Sequence, residues 1–369
     1  MMVRIFLTGD NHIGRRYDRH EQGQKLADVR VDALQGMVAG ANGEDCDLFV
    51  IAGDLFDRTK DVSRKTVAKA VELLGGFRNR VLIIPGNHDY YDANAVPDIW
   101  RDFRDAARDR ENILLLTEPR PCDLEVRDER VVVYPAGCGS LHSLPGENNL
   151  GWIKDEGIEP DEAFRLGIAH GAVAGESLDR EGNYFSMTRE ELNAIPVDVW
   201  LIGHTHVPFS GGRIFNAGTP VQTDVSCNTE GQCFILDIES GNGLKPVSCK
   251  KFVSGQIRFF RREIAVNGDL RGMLECGLSD IPDNSVVDIQ LSGAVDREEY
   301  AERGLAVKEA LSCFIEGTCD DSALVRRITE SFVKSEFPET SFSARFLTAL
   351  LSDPKEAQMA YDLLKETAK

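Results

Sequence analysis

Five times along this chain a short apolar run stops at a turn residue with polar side chains crowded behind it, and that recurrence limits what the chain can fold into. The runs are residues 3–7 before TGDNH, 48–52 before GDLFD, 81–84 before PGNHD, 166–169 before HG, and 199–202 before GHTH. Four to eight apolar residues closed by turn signals read as a buried strand of a parallel sheet. In open α/β sheets the functional crevice lies outside the carboxyl ends of the strands. The five polar clusters are therefore expected along one edge.

The intervening segments fit that reading. Leu26, Val29, Ala33, Leu34, Met37 and Val38 recur with helical spacing between the first two runs, giving a strand, helix, strand unit. Ser63 is placed to cap a second helix with Val67, Ala70, Val71 and Leu74 on one face, and Gly75 and Gly76 stop it. Around residues 122–134 two β-prone stretches flank a polar 127–130 turn and predict a hairpin. Residues 213–266 are β-rich and punctuated by glycine. A mixed sheet or two stacked sheets covered by helices follows.

With 42 basic and 61 acidic residues the net charge is −19, and no long block carries a single sign. Non-specific attraction to nucleic acid over the whole surface is therefore not expected, and any such binding must come from local patches. Nine cysteines without a CxxC pair argue against a disulfide framework or a thiolate zinc site. A reducing cytoplasm is the expected compartment. The N-terminus has no apolar stretch long enough for a secretory signal, and no run approaches the length of about 18 residues needed to span a bilayer.

The strand-end groups are Asp10, His12, Asp54, Asn87, His88, His170, His204 and His206. Five of the chain's seven histidines are among them. One histidine at a strand end is ordinarily structural, but five beside two aspartates and an asparagine predict a metal centre. Oxygen and imidazole donors without thiolate suit manganese, iron or zinc. A shared carboxylate can hold two such ions as the clamp used in phosphoryl displacement, so phosphoester hydrolysis is the expected reaction class.

DxH, GDxxD, GNHD, a lone histidine and GHxH, in this order over roughly residues 3–225, resemble the calcineurin-like metallophosphoesterase superfamily. The resemblance implies an α/β fold, a four-layer α/β/β/α sandwich. It also implies two divalent metal ions, with Asp10, His12 and His206 on one, Asn87, His170 and His204 on the other, and Asp54 between them. His88 becomes the general acid or phosphate-orienting group, with Asp89 fixing its tautomer. The metal most expected is Mn2+, with Fe or Zn also compatible.

Within the superfamily, GDLFD, the 30–34 segment, NAGTP at 216–220 and the tail SEFPETSFSARFLTALL followed by DPKEAQMAYDLL resemble SbcD-type DNA repair exonucleases. Gly9 and Asp57 depart from that pattern, standing where many relatives have serine and histidine. The resemblance implies DNA as substrate, an SbcC-type coiled-coil ATPase as partner, a homodimer, and no membrane association. Arg15, Arg16, Asp57, Arg58 and Tyr90 are the candidate substrate contacts, arginines for the phosphate backbone and tyrosine for stacking. A phosphatase or phosphodiesterase for nucleotides and other small phosphoesters is the alternative, because one metal centre serves all these reactions. His20 and His142 receive no role.

After about residue 256 the pattern changes to a small α+β unit, with strands at 257–266 and 286–291 and a helix carrying Tyr300, Val307, Leu311 and Phe314. Two amphipathic stretches surround Asp353 and Pro354. The expected organisation is a nuclease domain over 1–256, a cap over 257–320 and a helical segment over 321–369 that could dock the ATPase.

Overall fold

A computed structural model of the chain describes residues 2–95, 98–158, 162–177, 182–227, 229–239 and 247–367. It divides into two compact units, Met1–Ile257 and Arg258–Lys369.

In the first unit the chain runs β1 (Met2–Thr8), α1 (Gly23–Gly43), β2 (Leu48–Ala52), α2 (Arg64–Leu74), β3 (Arg80–Ile84), α3 (Ile99–Ala106), β4 (Ile113–Leu115), β5 (Cys122–Val126), β6 (Glu129–Ala136), α4 (Gly151–Glu156), β7 (Phe164–His170), α5 (Arg189–Ala194), β8 (Val199–Gly203), β9 (Phe209–Gly211), β10 (Ile214–Asn216), β11 (Gln232–Glu239) and β12 (Val247–Val253). One six-stranded sheet has the order β12-β11-β1-β2-β3-β4, the other β5-β6-β7-β8-β10-β9. The neighbours β1, β2, β3 and β4 are parallel, as are β6, β7, β8 and β10.

Alternation along each strand explains why two sheets stack. Val3, Ile5 and Leu7, Leu48, Val50 and Ala52, and Leu82 and Ile84 face Phe164, Leu166, Ile168, Val199 and Leu201 across the sandwich. The alternate residues Phe6, Phe49, Ile51, Val81 and Ile83 pack outward on α1, α2 and α3, through Leu34, Met37, Val67, Val71 and Trp100. On the far side Trp200 and Ile202 pack under α4 and α5, through Ile153 and Leu192. Strands apolar on both faces cannot sit at a surface, so helices must cover both outer faces and four layers result.

The start of α2 follows its sequence signal. Ser63 accepts from the Thr66 N–H at the start of α2. In α1 the face differs by one position from the periodicity, because Arg30 is buried where Val29 was expected. The hairpin joins β5 to β6 through Arg127 and Asp128 alone, both at positive φ, so its turn is two residues rather than four.

The second unit holds β13 (Arg258–Asn267), α6 (Leu270–Leu278), β14 (Ser285–Val295), α7 (Arg297–Leu311), β15 (Glu316–Arg326), α8 (Glu330–Glu336), α9 (Phe342–Leu350) and α10 (Pro354–Thr367). The three strands form one parallel sheet in sequence order. An expected boundary at 320/321 would cut β15 in two, since that strand is hydrogen-bonded to β14 from Glu316 to Arg326. The helical segment begins after it. Leu347, Ala357 and Ala360 form the core among α8, α9 and α10, whereas Met359 and Leu363 are exposed. No helix among the described residues is long and apolar enough to cross a membrane.

Candidate metal centre

The carboxyl ends of β1, β2, β3, β7 and β8 meet at one edge of the sandwich, and the strand-end side chains converge there. The loops after β1 and β2 are locked by backbone bonds from Asp10 N–H to the Gly53 carbonyl (3.1 Å) and from His12 N–H to the Asp54 carbonyl (3.0 Å). Asp10, His12, Asp54 and His204 all have positive φ. Four non-glycine residues held in a sparsely populated region at one site mark a functional cluster more than a packing requirement. Gly53 and Gly86 allow the close approach: a Cβ on Gly53 would lie 2.2 Å from His170 Nδ1, and one on Gly86 2.1 Å from Asp54 Oδ1.

The side chains form two groups joined by a carboxylate. Asp10, His12 and His206 bring ligand atoms within 4.8 Å of one another, as do Asp10, Asp54 and His170. His12 Nε2 is 3.2 Å from His206 Nε2. On the other side Asn87 Oδ1 lies 3.0 Å from His170 Nε2 and 3.1 Å from His204 Nδ1. Asp54 Oδ2 stands between, 3.8 Å from His12 Nε2 and 3.5 Å from His170 Nε2.

The donor set fits cations on its own chemistry. His170 Nδ1 donates to the Ala52 carbonyl at 2.8 Å, so that Nε2, once it has given up its proton, presents a lone pair to the cluster. That lone pair faces Asn87 Oδ1 and Asp54 Oδ2, which are also acceptors. Three such groups aimed at one another in a buried site call for a positive charge between them, a proton on His170 in the metal-free protein and a cation in its place when metal binds, and a backbone carbonyl fixing the tautomer is the usual support of a metal-binding histidine. His12, Asp54 and Asp10 are almost wholly inaccessible.

Electrostatics agree. Burial raises the Asp10 carboxyl to about 7. Burial lowers His12 well below its usual value, His204 to about 3 and His206 to about 4, so these rings are neutral and ready to donate lone pairs. Burial would also lower His170, but the Asp54 and Asp10 carboxylates and the Ala52 carbonyl together outweigh it and raise the ring to about 9. For Asp54, burial is outweighed by the surrounding histidines, and its carboxyl is held below the ordinary range.

His88 stands at the rim of this cluster, its ring 4.8 Å from that of His12 and roughly perpendicular to it. Its backbone N–H donates to Asp54 Oδ1 (2.9 Å) and its Nδ1 donates to the Asp57 carbonyl (3.1 Å), leaving Nε2 free of that bond. The expected support from Asp89 is not what the structure shows. Asp89 accepts from the backbone N–H groups of Phe56 (2.9 Å) and Gly86 (2.7 Å), so both its oxygens tie the 53–57 turn to the 85–89 turn. Adjacent residues in a tight turn point apart, and the tautomer of His88 is set by a backbone carbonyl instead.

Of the substrate candidates, Asp57 is buried and lies 3.5 Å from His12 Nδ1, 3.6 Å from Arg15 and 3.6 Å from Arg58. It is an anchor for the two arginines rather than a surface contact. Arg16 is exposed and Tyr90 partly so, and neither is drawn into the cluster.

Three contributors escape a reading by motif. Arg30 is buried, with its guanidinium donating to the Asn11 carbonyl (2.8 Å), the Tyr17 hydroxyl (3.0 Å) and the Gln222 carbonyl (3.4 Å). Thr219 donates to the Asp10 and Val221 carbonyls, at 3.1 and 2.8 Å, and its N–H bonds the His206 carbonyl. The Tyr184 ring packs 5.2 Å from that of His204. NAGTP, at 216–220, and the 30–34 segment, which begins at Arg30, carried the hints of this buttress.

A histidine, carboxylate and carboxamide cradle at the carboxyl edge of an α/β/β/α sandwich defines a dinuclear metallohydrolase. Accordingly, the chain belongs to the calcineurin-like phosphoesterase family, which matches residues 3–208. Among solved structures the chain is similar to TT1561 of Thermus thermophilus, at 10% identity and TM-score 0.45, covering 69% of this chain and 100% of that one. Purple acid phosphatase PPD1 from yellow lupin seeds matches at 12% identity and TM-score 0.41, over 69% of this chain and 52% of that one. The NAD nucleotidase of Haemophilus influenzae matches at 12% identity and TM-score 0.38, over 68% of this chain and 49% of that one. No curated protein sequence matches the chain significantly.

Two divalent cations, when bound, supply Lewis acidity toward a phosphoryl group and activate water. The chain's own residues do the rest. Asp10, His12, Asp54 and His206 would hold one ion and Asp54, Asn87, His170 and His204 the other. His88 Nε2 would be the rim nitrogen available to a phosphoryl or leaving oxygen, and Asp57 holds the Arg15 and Arg58 guanidinium groups.

Proposed function

We propose that the chain is a manganese-dependent DNA nuclease of SbcD type that hydrolyses phosphodiester bonds and works with an SbcC-type coiled-coil ATPase as a homodimer. The observation that carries this reading is the triplet of Asp57 with Arg15 and Arg58. Both guanidinium groups lie within 3.6 Å of the Asp57 carboxylate at the rim of the metal-binding cluster, and the Arg58 side chain is largely exposed. Guanidinium groups beside a metal-binding cluster suit contact with a phosphate of the substrate backbone. The tail adds support for a protein partner: Phe342 stacks on Phe346 with ring centroids 5.5 Å apart, and both are exposed.

The test is incubation of the purified protein with manganese and double-stranded DNA, alone and with the ATPase. Cleavage is expected. Absence of cleavage together with rapid turnover of a phosphomonoester overturns the reading. The net charge of −19 favours the competing one, a phosphatase or phosphodiesterase for nucleotides or other small phosphoesters. In that case bis(4-nitrophenyl) phosphate is hydrolysed and DNA does not compete.

A further inference from the structure

The edge that carries the metal-binding groups also holds a cavity that their chemistry leaves unused. It encloses about 340 Å³ among Pro85, Tyr91, Leu116, Cys138, Asn149 and Trp152. Pro85 follows β3 directly, Leu116 follows β4 and Cys138 lies just beyond β6, so the cavity opens at the carboxyl ends of neighbouring strands. Backbone bonds tie it to the metal-binding turns. Cys138 N–H donates to the Pro85 carbonyl and Tyr91 N–H to the Cys138 carbonyl, both at 3.0 Å. Cys138 Sγ is 3.5 Å from the carbonyl oxygen of His170.

Its aromatic walls are braced from behind. The Arg104 guanidinium lies over the Tyr91 ring, 4.9 Å from its centroid. The Trp152 ring stacks on Tyr134, and its Nε1 donates to the Pro135 carbonyl at 3.1 Å. Asn149 contributes a carboxamide, which donates to Cys138 Sγ at 3.7 Å. A volume of a few hundred Å³ with rigid aromatic walls and a few polar groups is the form of a site for a flat heterocycle.

We infer that this cavity receives the nucleobase of the nucleotide whose phosphate reaches the metal-binding groups. The inference rests on the phosphoesterase reading, because a nucleotide carries an ester phosphate for the metal-binding groups at one end and a planar heterocycle for the cavity at the other. The base comes either from a free nucleotide or from the terminal residue of a strand, and both present the same chemistry to Tyr91, Trp152 and Asn149.

Trp152 supplies the readout. Of the three tryptophans, Trp100 and Trp200 are fully buried and Trp152 is partly exposed. Adenosine 5′-monophosphate and a short single-stranded oligonucleotide are each titrated into the full-length protein while tryptophan emission is followed, with inorganic phosphate as control. Saturable quenching by the nucleotide and none by phosphate is expected, and Trp152→Phe abolishes it. Tighter quenching by the oligonucleotide assigns the pocket to a strand end, and equal quenching to a free nucleotide.

In parallel, inhibition of bis(4-nitrophenyl) phosphate hydrolysis by the nucleotide weakens about tenfold in Trp152→Ala, the scale of one base stack. Inhibition by phosphate stays unchanged. If Trp152→Ala does not fold, Asn149→Ala carries the same comparison. Intact hydrolysis with no nucleotide quenching overturns the pocket and leaves the phosphoesterase reading standing. Quenching without hydrolysis supports the pocket and overturns that reading, and absence of both overturns the two together.

Discussion

His170 donates from Nδ1 to the carbonyl oxygen of Ala52 at 2.8 Å, a bond that reaches from the end of β7 in one sheet to the end of β2 in the other. It fixes which ring nitrogen faces the cluster, and it does so through backbone that the strand pairing already holds. Gly53, at φ +90°, is what lets the ring come this close.

Gly53→Ala therefore tests whether the two sheets jointly shape the site. The added Cβ would lie 2.2 Å from His170 Nδ1, and the residue would be strained at that φ. A stability loss of about 1–3 kcal/mol is expected. His170 is displaced, and the variant retains fewer cations than the native chain by elemental analysis. Unchanged metal content shows that the ring has room elsewhere.

Metal affinity rises with pH. In the metal-free protein Asp10 titrates at about 7 and His170 at about 9, while His204 at about 3 and His206 at about 4 are already neutral near pH 7. A cation must displace the protons on Asp10 and His170, so binding tightens from about pH 6 to about pH 9 with proton release. Calorimetry in buffers of different ionisation enthalpy measures both. A pH-independent affinity contradicts the assigned ligands.

Asp57→Ala removes the carboxylate that faces His12 and both arginines, but leaves the backbone carbonyl that orients His88. Turnover should fall about 10–100-fold, the usual effect of losing a residue that orients a ligand. Asp89→Ala acts differently. It frees the Phe56 and Gly86 N–H groups in a buried turn, at about 1–3 kcal/mol each, and shows first as a lower unfolding midpoint.

Arg30→Met is expected to cost on the order of 3 kcal/mol in denaturant unfolding, because the buried Asn11 carbonyl and Tyr17 hydroxyl lose their donor. Arg30→Lys recovers part of it, reaching one partner with a single ammonium.

The strand ends were legible because each combined an apolar run, a turn residue and metal-type donors, three independent signals at one place. Stacking of two sheets was legible only as one of two options, since each strand is apolar on both faces and sequence does not say which neighbour covers which face. The partner of His88 was not legible. Asp89 is adjacent in sequence, yet the turn sends its carboxylate to Phe56 and Gly86, and the carbonyl that replaces it belongs to a loop 31 residues away. Arg30 was hidden for a related reason: a charge beside Val29 on a helix reads as solvent-facing until the 221–222 carbonyls arrive to satisfy it. In the second unit β15 was missed because Thr318, Asp320 and Ser322 give it a polar, exposed face.

The central claim is that this edge holds two adjoining divalent cations and hydrolyses phosphoesters with them. The direct measurement is the rate of bis(4-nitrophenyl) phosphate hydrolysis as manganese is added stepwise to the metal-free protein. The account predicts no turnover without metal and a rise that saturates near two ions per chain, with Asp54→Asn failing to reach it at any manganese concentration. Hydrolysis that persists in the metal-free protein, or that saturates at one ion in both native and Asp54→Asn chains, would contradict it.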